Sequence, residues 1–360
     1  MSIKSIARHA VGKAAAAYRE EQKRKRYENA IRTHIRKTTD IEIPALSAEL
    51  KREAEAYWSE RGIILSSTDW HRYYYARTGK IDPRFVPDDV FHRIIRPKMN
   101  DIKMAAAWSD KAYTDWVVRD VRTVESVLRC VNGRLLDRNF ELIDRADADR
   151  IMNGYEALVL KPSMFTDTGK NVVLQHAPFA IDDIIARYGK YFVVQLPLRQ
   201  HPDLALLNAS SVNTIRIDTV LLDKEAHAIP AFVKAGQPGD FTDNGGGEKR
   251  IFIGIENGRY TDFAFDHDCN KFYSIPSGYA FAGQKVPFLD EICRAAEKAH
   301  TRVPHFGLAF WDMSVDVNGE PVIVEMNLRY PDSYVPQVAA GPFFGDYTED
   351  VLKYIKRENQ

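Results

Sequence analysis

Residues 308–327 have the sequence LAFWDMSVDVNGEPVIVEMN, in which two runs of β-branched and aromatic residues flank the dipeptide Asn318-Gly319. Asn-Gly is the dipeptide preferred in two-residue type I′ turns of β-hairpins. We therefore predict a hairpin with a two-residue turn at this position. Because the turn sets the register of the two strands, Asp312 is expected to lie directly opposite Glu325.

The predicted hairpin has one apolar and one polar face, since side chains two residues apart on a strand point the same way. The apolar face consists of Trp311, Met313, Val315, Val322, Val324 and Met326. The polar face carries Asp312, Glu325 and Asn327. Asp316, nearer the turn, is expected to be a solvated surface charge.

The opposed carboxylates of the polar face predict a metal site. Directly opposed side chains have Cβ atoms about 5 Å apart, and two like charges there repel unless a cation lies between them. Two carboxylates and an amide are oxygen donors that suit Mg²⁺ or Mn²⁺. The alternative is an exposed sheet face on which these acids do not interact.

The rest of the sequence predicts an α+β protein with a helical N-terminal part. Residues before about position 60 are rich in Ala, Glu, Lys and Arg, which favours helices, including one over residues 43–61. From residue 157 onward, short β-branched runs alternate with turn residues, which predicts antiparallel sheet. A further helix is predicted over residues 288–301 and another at the C-terminus.

Composition and charge give no indication of a nucleic acid or an unusually acidic partner. The chain has 360 residues, 45% of them hydrophobic, with 50 basic and 50 acidic side chains, so no overall charge indicates nucleic acid binding. Residues 4–37 contain eleven basic and three acidic side chains. This segment is expected to be a solvated basic helix packed on the main body; the alternatives are peripheral contact with an anionic membrane surface and a docking arm.

Cysteine content and hydropathy indicate a cytoplasmic, non-membrane protein. The cysteines at positions 130, 269 and 293 have no spacing typical of a zinc site or a disulfide framework. No apolar run approaches the roughly 18 residues that span a bilayer, and the N-terminus lacks the apolar core of a signal peptide.

A second candidate site lies in the stretch ALVLKPSMFTDTGKNVVL, residues 157–174. Lys161 ends an apolar strand, and a lysine on a buried strand needs an anionic partner. The Walker A and GxGxxG patterns are absent, so phosphate contact would come from lysines and from a strand-turn-strand lid. The alternative is a surface lysine at the end of a strand.

A third candidate is the strand in NTIRIDTVLL, residues 213–222, which places Thr214, Arg216 and Asp218 on one face. A guanidinium there could bind a carboxylate or phosphate in a bidentate manner. The alternative for Arg216 is an ion pair with Asp218 or with another acid.

The motifs DKAYTDW, LVLKPSMFTDTGKNVVL, VVQLPLRQHPDLALLNASSVNTIRIDT, DNGGG and WDMSVDVNGEPVIVEMN occur in this order. Together they resemble the ATP-grasp superfamily, specifically its sugar-transfer-associated family, over about residues 70–345. The resemblance implies two α+β subdomains that clasp ATP. Gln195 departs from the glutamate common at the hinge, and Lys234 stands where an arginine is expected.

The resemblance also implies roles for individual residues. Lys111 and Lys161 would contact ATP phosphates, and Arg216 would act with Lys161 in catalysis. The nucleotide site would further include Thr168, Gly169 and Lys170 of the lid, Val194, Gln195, Leu196 and Leu198 of the adenine hinge, and Asn213 near the transferred phosphate. The metal ligands would be Asp312, Glu325 and Asn327.

The activity that the resemblance implies is an ATP- and Mg²⁺-dependent ligase that joins a small-molecule acid to an amine, in surface-polysaccharide or amino-sugar metabolism. Two alternatives stay open: a kinase acting on a sugar hydroxyl, and a nucleotide-binding partner of a glycosyltransferase without catalysis. The expected units are a basic helical extension (1–65), an N-terminal ATP-grasp region (66–150), a lid subdomain (151–200) and a catalytic subdomain (201–360).

Overall fold

The computed structural model of the chain describes residues 21–22, 25–164, 171–243, 250–329 and 333–357. Helices dominate the part before residue 120, so the helical part extends beyond the predicted limit at about residue 60. In chain order the α-helices are α1 (25–37), α2 (Ala48–Glu60), α3 (Asp69–Thr78), α4 (Asp88–Val90), α5 (Arg96–Met99), α6 (Ala105–Trp108), α7 (Thr114–Val117), α8 (Arg145–Met152), α9 (Ile181–Tyr188), α10 (Pro202–Ala205), α11 (Leu289–His300), α12 (Tyr334–Ala340) and α13 (Thr348–Arg357). A π-helical turn, Phe91–Ile95, joins α4 to α5, and short 3₁₀ turns occupy Lys111–Tyr113 and Gly345–Tyr347.

The strands form two antiparallel sheets. They are β1 (Ser126–Val131), β2 (Arg134–Asp137), β3 (Leu142–Ile143), β4 (Ala157–Pro162), β5 (Val173–His176), β6 (Tyr191–Gln195), β7 (Thr214–Leu222), β8 (Glu225–Ala235), β9 (Ile251–Glu256), β10 (Arg259–Phe265), β11 (Lys271–Phe272), β12 (Leu308–Val315) and β13 (Pro321–Asn327). The first sheet has the strand order β3-β2-β1-β6-β4-β5, and the second has the order β11-β10-β9-β8-β7-β12-β13. The prediction of an α+β protein with antiparallel sheet is confirmed.

The first sheet begins earlier than the sequence suggested. Strand β1 starts at Ser126, about 30 residues before the predicted onset of strands, and it pairs with β6. The predicted boundary after residue 150 therefore falls inside one sheet. Arg129 interrupts the apolar pattern of β1, yet its side chain is fully buried and donates hydrogen bonds to the carbonyls of Ala112 (2.7 Å) and Asp137 (2.9 Å). These hydrogen bonds compensate for the burial of the guanidinium. The pattern of apolar residues in the sequence does not reveal such partners.

The hairpin of β12 and β13 exists, but its turn is not the predicted two-residue turn. The amide of Asp316 donates to the carbonyl of Glu320 (3.0 Å), and the amide of Gly319 donates to the carbonyl of Asp316 (3.0 Å). Residues 317–319 therefore form a three-residue loop, with Gly319 at a φ of 83° in the left-handed region. A β-bulge between the Asp312–Glu325 and Met313–Ile323 pairs inserts Val324 as an extra residue. The bulge offsets the longer loop and restores Asp312 opposite Glu325.

The bulge also changes which side chains face the core. Four of the predicted apolar residues are buried in the core of the second sheet: Trp311, Met313, Val315 and Met326. Ile323 of β13, which was not predicted to face the core, is buried with them. The predicted apolar positions Val322 and Val324 lie outside that core. The prediction that Asp316 is a surface charge is wrong: its side chain is 8% exposed and is paired with Arg122 at 2.6 Å. Its Oδ1 accepts from two amides of the turn, which explains its burial.

Helices cover both faces of the second sheet. Helix α11 packs its apolar side against the core that contains Trp311 and Met313. On the other face, side chains of α3 and α12 pack against Phe232 and Phe252 of β8 and β9. Within the described residues, no helix combines the length and the apolar character needed to cross a membrane.

Candidate functional site

A cavity lies between the two sheets, beside the segment that connects β6 to β7. One wall of the cavity is formed by β4 and the end of β6. The opposite wall is formed by β7, β8 and the β12–β13 hairpin. The described residues that line it are Lys111, Val124, Val159, Lys161, Pro162, Val172, Gln195, Leu196, Pro197, Leu198, Val212, Thr214, Lys234, Phe241, Thr242, Asp243, Asp312, Val324 and Glu325. The lining thus combines an apolar part with three lysines and three carboxylates.

A transverse row of charged residues crosses three strands of the second sheet. Arg216 on β7 pairs with Asp312 on β12, which in turn pairs with Glu325 on β13. Arg216 Nε donates to Asp312 Oδ1 at 2.8 Å, and Lys234 Nζ donates to Asp312 Oδ2 at 2.7 Å. Asn327 Nδ2 donates to the same Oδ2 at 3.3 Å. Three side chains therefore converge on one carboxylate that is only 4% exposed.

The electrostatics of Asp312 follow from these contacts. Burial by itself would raise the pKa of the carboxyl, but the Arg216 guanidinium and the Lys234 ammonium lower it to about 2. The alternative for Arg216, an ion pair with an acid, is thus what the structure shows, and that acid is Asp312. The alternative of an exposed sheet face is wrong for Asp312.

Lys111 links the first part of the chain to the hairpin. Its Nζ lies 3.0 Å from Glu325 Oε1. Burial opposes ionisation of Glu325, and the Lys111 ammonium overcomes this and holds the pKa of the carboxyl below its ordinary value. The backbone of Lys111 is anchored to the end of β4 through a hydrogen bond from its amide to the carbonyl of Ser163 (3.0 Å). Lys111 therefore spans the cavity from one sheet to the other.

Lys161 lines the same cavity from β4. Lys161 is only 8% exposed, so the alternative of a surface lysine at the end of a strand is wrong. Burial and the neighbouring Lys111 lower the pKa of Lys161 to about 8, while Glu325 acts in the opposite direction. A buried ammonium is costly unless a negative charge compensates it, and Lys161 faces the cavity.

Sequence reasoning gave no site role to three polar residues around the row. Lys234 was noted only as a departure from an expected arginine. Asp243 lines the cavity and accepts a hydrogen bond from Thr214 Oγ1, and burial raises the pKa of its carboxyl. Asp218 is 2% exposed, and burial raises its pKa to about 7 although Arg216 acts to lower it. The pattern of NTIRIDT placed Asp218 on the face of Arg216, but its burial depends on packing against other elements.

Several predicted nucleotide-site residues differ in their placement. Gln195, Leu196 and Leu198 line the cavity, whereas Val194 is packed in the core of the first sheet. Asn213 is fully buried away from the cavity, and its amide donates to the carbonyls of Leu204 and Asn208 (both 2.8 Å). It holds the segment before β7 rather than facing the cavity. Thr168, Gly169 and Lys170 lie outside the described residues.

The donor set at the hairpin fits a divalent cation in its chemistry. In the described part of the chain, no group of three or more His, Cys, Asp or Glu side chains could hold a metal ion. Asp312 and Glu325 nevertheless supply two carboxylates, and the cationic groups of Arg216, Lys234 and Lys111 now compensate their charge. A hard divalent ion keeps water and phosphate oxygens among its ligands and is often held by only one or two carboxylates, and the pair at the hairpin fits this requirement.

Comparison with known families identifies the second half of the chain. Residues 183–351 match the family model described as sugar-transfer associated ATP-grasp. This segment is an ATP-grasp segment. It contains β7 to β13, and therefore the row of charged residues Arg216, Asp312 and Glu325. Together with the two antiparallel sheets, the match confirms the predicted α+β ATP-grasp fold.

Solved structures that resemble the chain share little sequence with it. The D-alanine-D-alanine ligase from Coxiella burnetii is 12% identical, with 72% of this chain and 61% of that chain covered and a TM-score of 0.40. The L-amino acid ligase from Bacillus licheniformis is 13% identical, with 65% and 43% covered and a TM-score of 0.36. For the D-alanine-D-alanine ligase from Bacillus anthracis the identity is 13%, the coverage 71% and 69%, and the TM-score 0.36. The chain thus spans less than half of the L-amino acid ligase. No curated protein matches the sequence of the chain.

Proposed function

We propose that the protein is an ATP-dependent, ADP-forming ligase that activates a carboxylate as an acylphosphate and joins it to an amine. The observation that carries this proposal is the inter-sheet cavity, which is lined by Lys111 and Lys161 and by Asp312 and Glu325. Arg216 is bonded to Asp312 next to this lining. This arrangement supports the proposal, because the lysines would contact phosphate oxygens and the carboxylates would hold a divalent ion.

The proposed reaction has two steps, and both require stabilisation of oxygen charge. In the first, a carboxylate oxygen of the substrate forms a bond to the γ-phosphorus while the bond from that phosphorus to ADP breaks. In the second, the amine nitrogen attacks the acyl carbon, and the carbon–oxygen bond to phosphate breaks. Lys161 and Lys111 would hold phosphate oxygens in the first step. Arg216 would donate to the oxyanion that forms on the acyl carbon in the second.

The divalent ion that ATP-grasp enzymes use would be held by Asp312 and Glu325, with Asn327 beside them. It would neutralise phosphate charge when bound. The family description links these proteins to sugar transfer. We therefore propose a sugar-derived acid such as a uronic acid, joined to an amino acid in cytoplasmic polysaccharide or amino-sugar metabolism, with Mg²⁺ as the ion.

The test is a screen of acids and amines for ADP release, with free phosphate and product mass measured in parallel. A ligase is expected to release ADP and phosphate one for one and to form a product lighter than its two substrates by one water. ADP release without phosphate, with a product that retains the phosphoryl group on a hydroxyl, would identify a kinase instead. If the protein binds ATP but shows no turnover with any acid, amine or sugar in the screen, it would be a binding partner rather than an enzyme.

The buried lysine of β4 leads to a prediction about ATP affinity. Lys161→Met should weaken ATP binding on the order of 10- to 100-fold, because a hydrogen bond to a charged group contributes about 1.5–3 kcal/mol. In the wild-type protein the affinity should also fall as the pH rises above about 8, since the free Lys161 loses its proton there while ATP binds the charged form. The variant should lack this dependence. Titration calorimetry from pH 7 to pH 9.5 measures both effects.

Lys190→Met provides the matched control, because Lys190 is exposed and directly precedes β6 in the same sheet. This control should keep both the wild-type affinity and its pH dependence. If Lys161→Met bound ATP as the wild-type protein does, the phosphate site would have to lie elsewhere in the cavity.

A further inference from the structure

Asp243 is a third carboxylate of the inter-sheet cavity, and it lies toward the charged end of that cavity. It lines the same space as Lys234, Asp312 and Glu325, and it is 9% exposed. The charges of these three residues all act on the Asp243 carboxyl group. Because a neighbouring charge shifts a pKa appreciably only at short range, Asp243 lies near the hairpin carboxylates rather than at the apolar end beside the β6–β7 segment.

The surroundings of Asp243 differ from those of the hairpin carboxylates, which are bonded to cationic side chains. Asp243 accepts a hydrogen bond from the neutral hydroxyl of Thr214. Burial raises the pKa of Asp243, and the charges of Asp312 and Glu325 act in the same direction, against Lys234 and the Thr214 hydrogen bond. Asp312, by contrast, has a pKa of about 2. Environments that separate the pKa values of neighbouring carboxyl groups leave one ionised and allow the other to exchange a proton.

The position of Asp243 argues against a role in binding the metal ion or the phosphates. In the described part of the chain, no group of three or more His, Cys, Asp or Glu side chains could hold a metal ion, so Asp243 is not a third ligand beside Asp312 and Glu325. A carboxylate also repels phosphate oxygens. It is suited to a positively charged group, and the amine of the proposed reaction reaches the site as an ammonium ion.

Thr214 places Asp243 beside the proposed position of the acyl carbon. Thr214 and Arg216 are two positions apart on β7 and share a face, so their Cα atoms are roughly 7 Å apart. In the proposed function, Arg216 donates to the oxyanion on the acyl carbon. The carboxyl group bonded to Thr214 is therefore about two residues along the strand from that carbon, within reach of an attacking nitrogen.

We propose that Asp243 is the catalytic base that takes a proton from the amine substrate before the amine attacks the acylphosphate. The proposal rests on the proposed function and adds the proton acceptor of its second step. One N–H proton of the ammonium passes to an Asp243 carboxylate oxygen, and the freed electron pair forms the bond to the acyl carbon. The carbon–oxygen bond to phosphate then breaks, and a second proton leaves the nitrogen with the phosphate. Asp243 returns its proton to solvent.

The experiment gives the full chain ATP, the acid identified by the screen and one of two nucleophiles. The first is the amine partner of that acid, which is an ammonium ion at neutral pH. The second is hydroxylamine, which is largely unprotonated there and forms a hydroxamate with an acylphosphate. Asp243→Asn keeps an oxygen that accepts from Thr214 but cannot take a proton. It should lower kcat/KM for the amine by about 100- to 10,000-fold, whereas hydroxamate formation should stay close to that of the wild-type protein.

Asp223→Asn is the matched control, because Asp223 is exposed and directly follows β7. This variant should match the wild-type protein with both nucleophiles. Three results for Asp243→Asn would overturn the role of Asp243 and leave the ligase proposal standing: an equal loss with both nucleophiles, no loss with either, or weaker ATP binding by calorimetry. A wild-type protein that releases no ADP with any acid and either nucleophile would overturn the ligase proposal and the catalytic base together.

If Asp243→Asn does not fold, the pH profile of Thr214→Val decides. The Thr214 hydrogen bond lowers the pKa of Asp243, so its removal should raise that pKa further. A base must be ionised to accept a proton, and its activity is lost as the pH falls through its pKa. The loss of kcat/KM for the amine on acidification should therefore move to higher pH in Thr214→Val. An unchanged profile in a folded variant would contradict the proposal.

Discussion

Arg216→Ala is expected to lower product formation by at least about 100-fold while Mg-ATP binding stays close to that of the wild-type protein. Arg216 lies on the regular strand β7 directly beside Asp312 of the hairpin, and its guanidinium donates to that carboxylate at 2.8 Å, so the side chain is preorganised next to the hairpin. Such a donor stabilises charge that develops during reaction more than it stabilises the bound nucleotide. Its loss should therefore appear in turnover rather than in ATP affinity.

The measurement uses the acid and amine identified by the screen and follows ADP, phosphate and product mass, with calorimetry for Mg-ATP. Arg187→Ala is the matched control, because Arg187 is exposed near the end of α9. This variant should have the turnover of the wild-type protein. A loss below about tenfold in Arg216→Ala would show that the guanidinium has no role in the chemical steps. A loss of ATP affinity equal to the loss of turnover would assign Arg216 to nucleotide binding instead.

Asp312→Ala is expected to lower the free energy of unfolding by about 3–5 kcal/mol and to abolish divalent cation binding. The side chains of Asp312, Arg216 and Lys234 are 6%, 15% and 10% exposed, so removal of the carboxylate takes away a buried negative charge that both cations contact. Asp312→Asn should be less destabilising, since its amide oxygen still accepts one of these bonds. Urea unfolding measures the stability, and Mn²⁺ binding by electron paramagnetic resonance measures the cation site.

The stabilisation by Asp312 should also depend on pH in a defined direction. Its pKa is about 2 in the folded protein, below the ordinary value of 3.8. A carboxyl with a depressed pKa stabilises the fold above its unfolded pKa and loses this contribution as the pH falls through the folded value. The difference in stability between the wild-type protein and Asp312→Asn should therefore shrink between about pH 4 and pH 2. Glu320→Ala, an exposed acid in the same hairpin, should change stability by less than about 0.5 kcal/mol at any of these pH values. A small effect of Asp312→Ala would mean that Arg216 and Lys234 find other partners.

The hairpin shows that a local turn rule can predict the correct residue pair even though the structure forms that pair in a different way. The Asn-Gly signal predicted Asp312 opposite Glu325, and the structure has this pair. The loop is one residue longer than predicted, however, and a bulge at Val324 compensates for it. Neither feature follows from the strand pattern, because a bulge is selected by packing of the hairpin against its neighbours.

The first sheet shows the opposite case, in which a clear element escaped pattern reading. Strand β1 contains Arg129, and an arginine in an apolar run indicates a surface position when sequence alone is considered. Its guanidinium is satisfied by the carbonyls of Ala112 and Asp137 and by an ion pair with Asp115. These partners come from segments that the sequence does not show to be close, so the burial of Arg129 could not be predicted.

The sequence by itself determined the α+β class, the family of the C-terminal half and the opposition of Asp312 and Glu325. These features depend on local propensity, on periodicity along one strand pair and on the order of short motifs, all of which are visible in a linear chain. Only the tertiary structure decided that Lys234 and Arg216 share Asp312, that Lys111 reaches Glu325 across the cavity, and that Asn213 turns away from it. Those contacts join residues up to 214 positions apart (Lys111 and Glu325). Their formation depends on how two sheets pack and on which buried charges find partners, and both are set by three-dimensional burial rather than by neighbours in sequence.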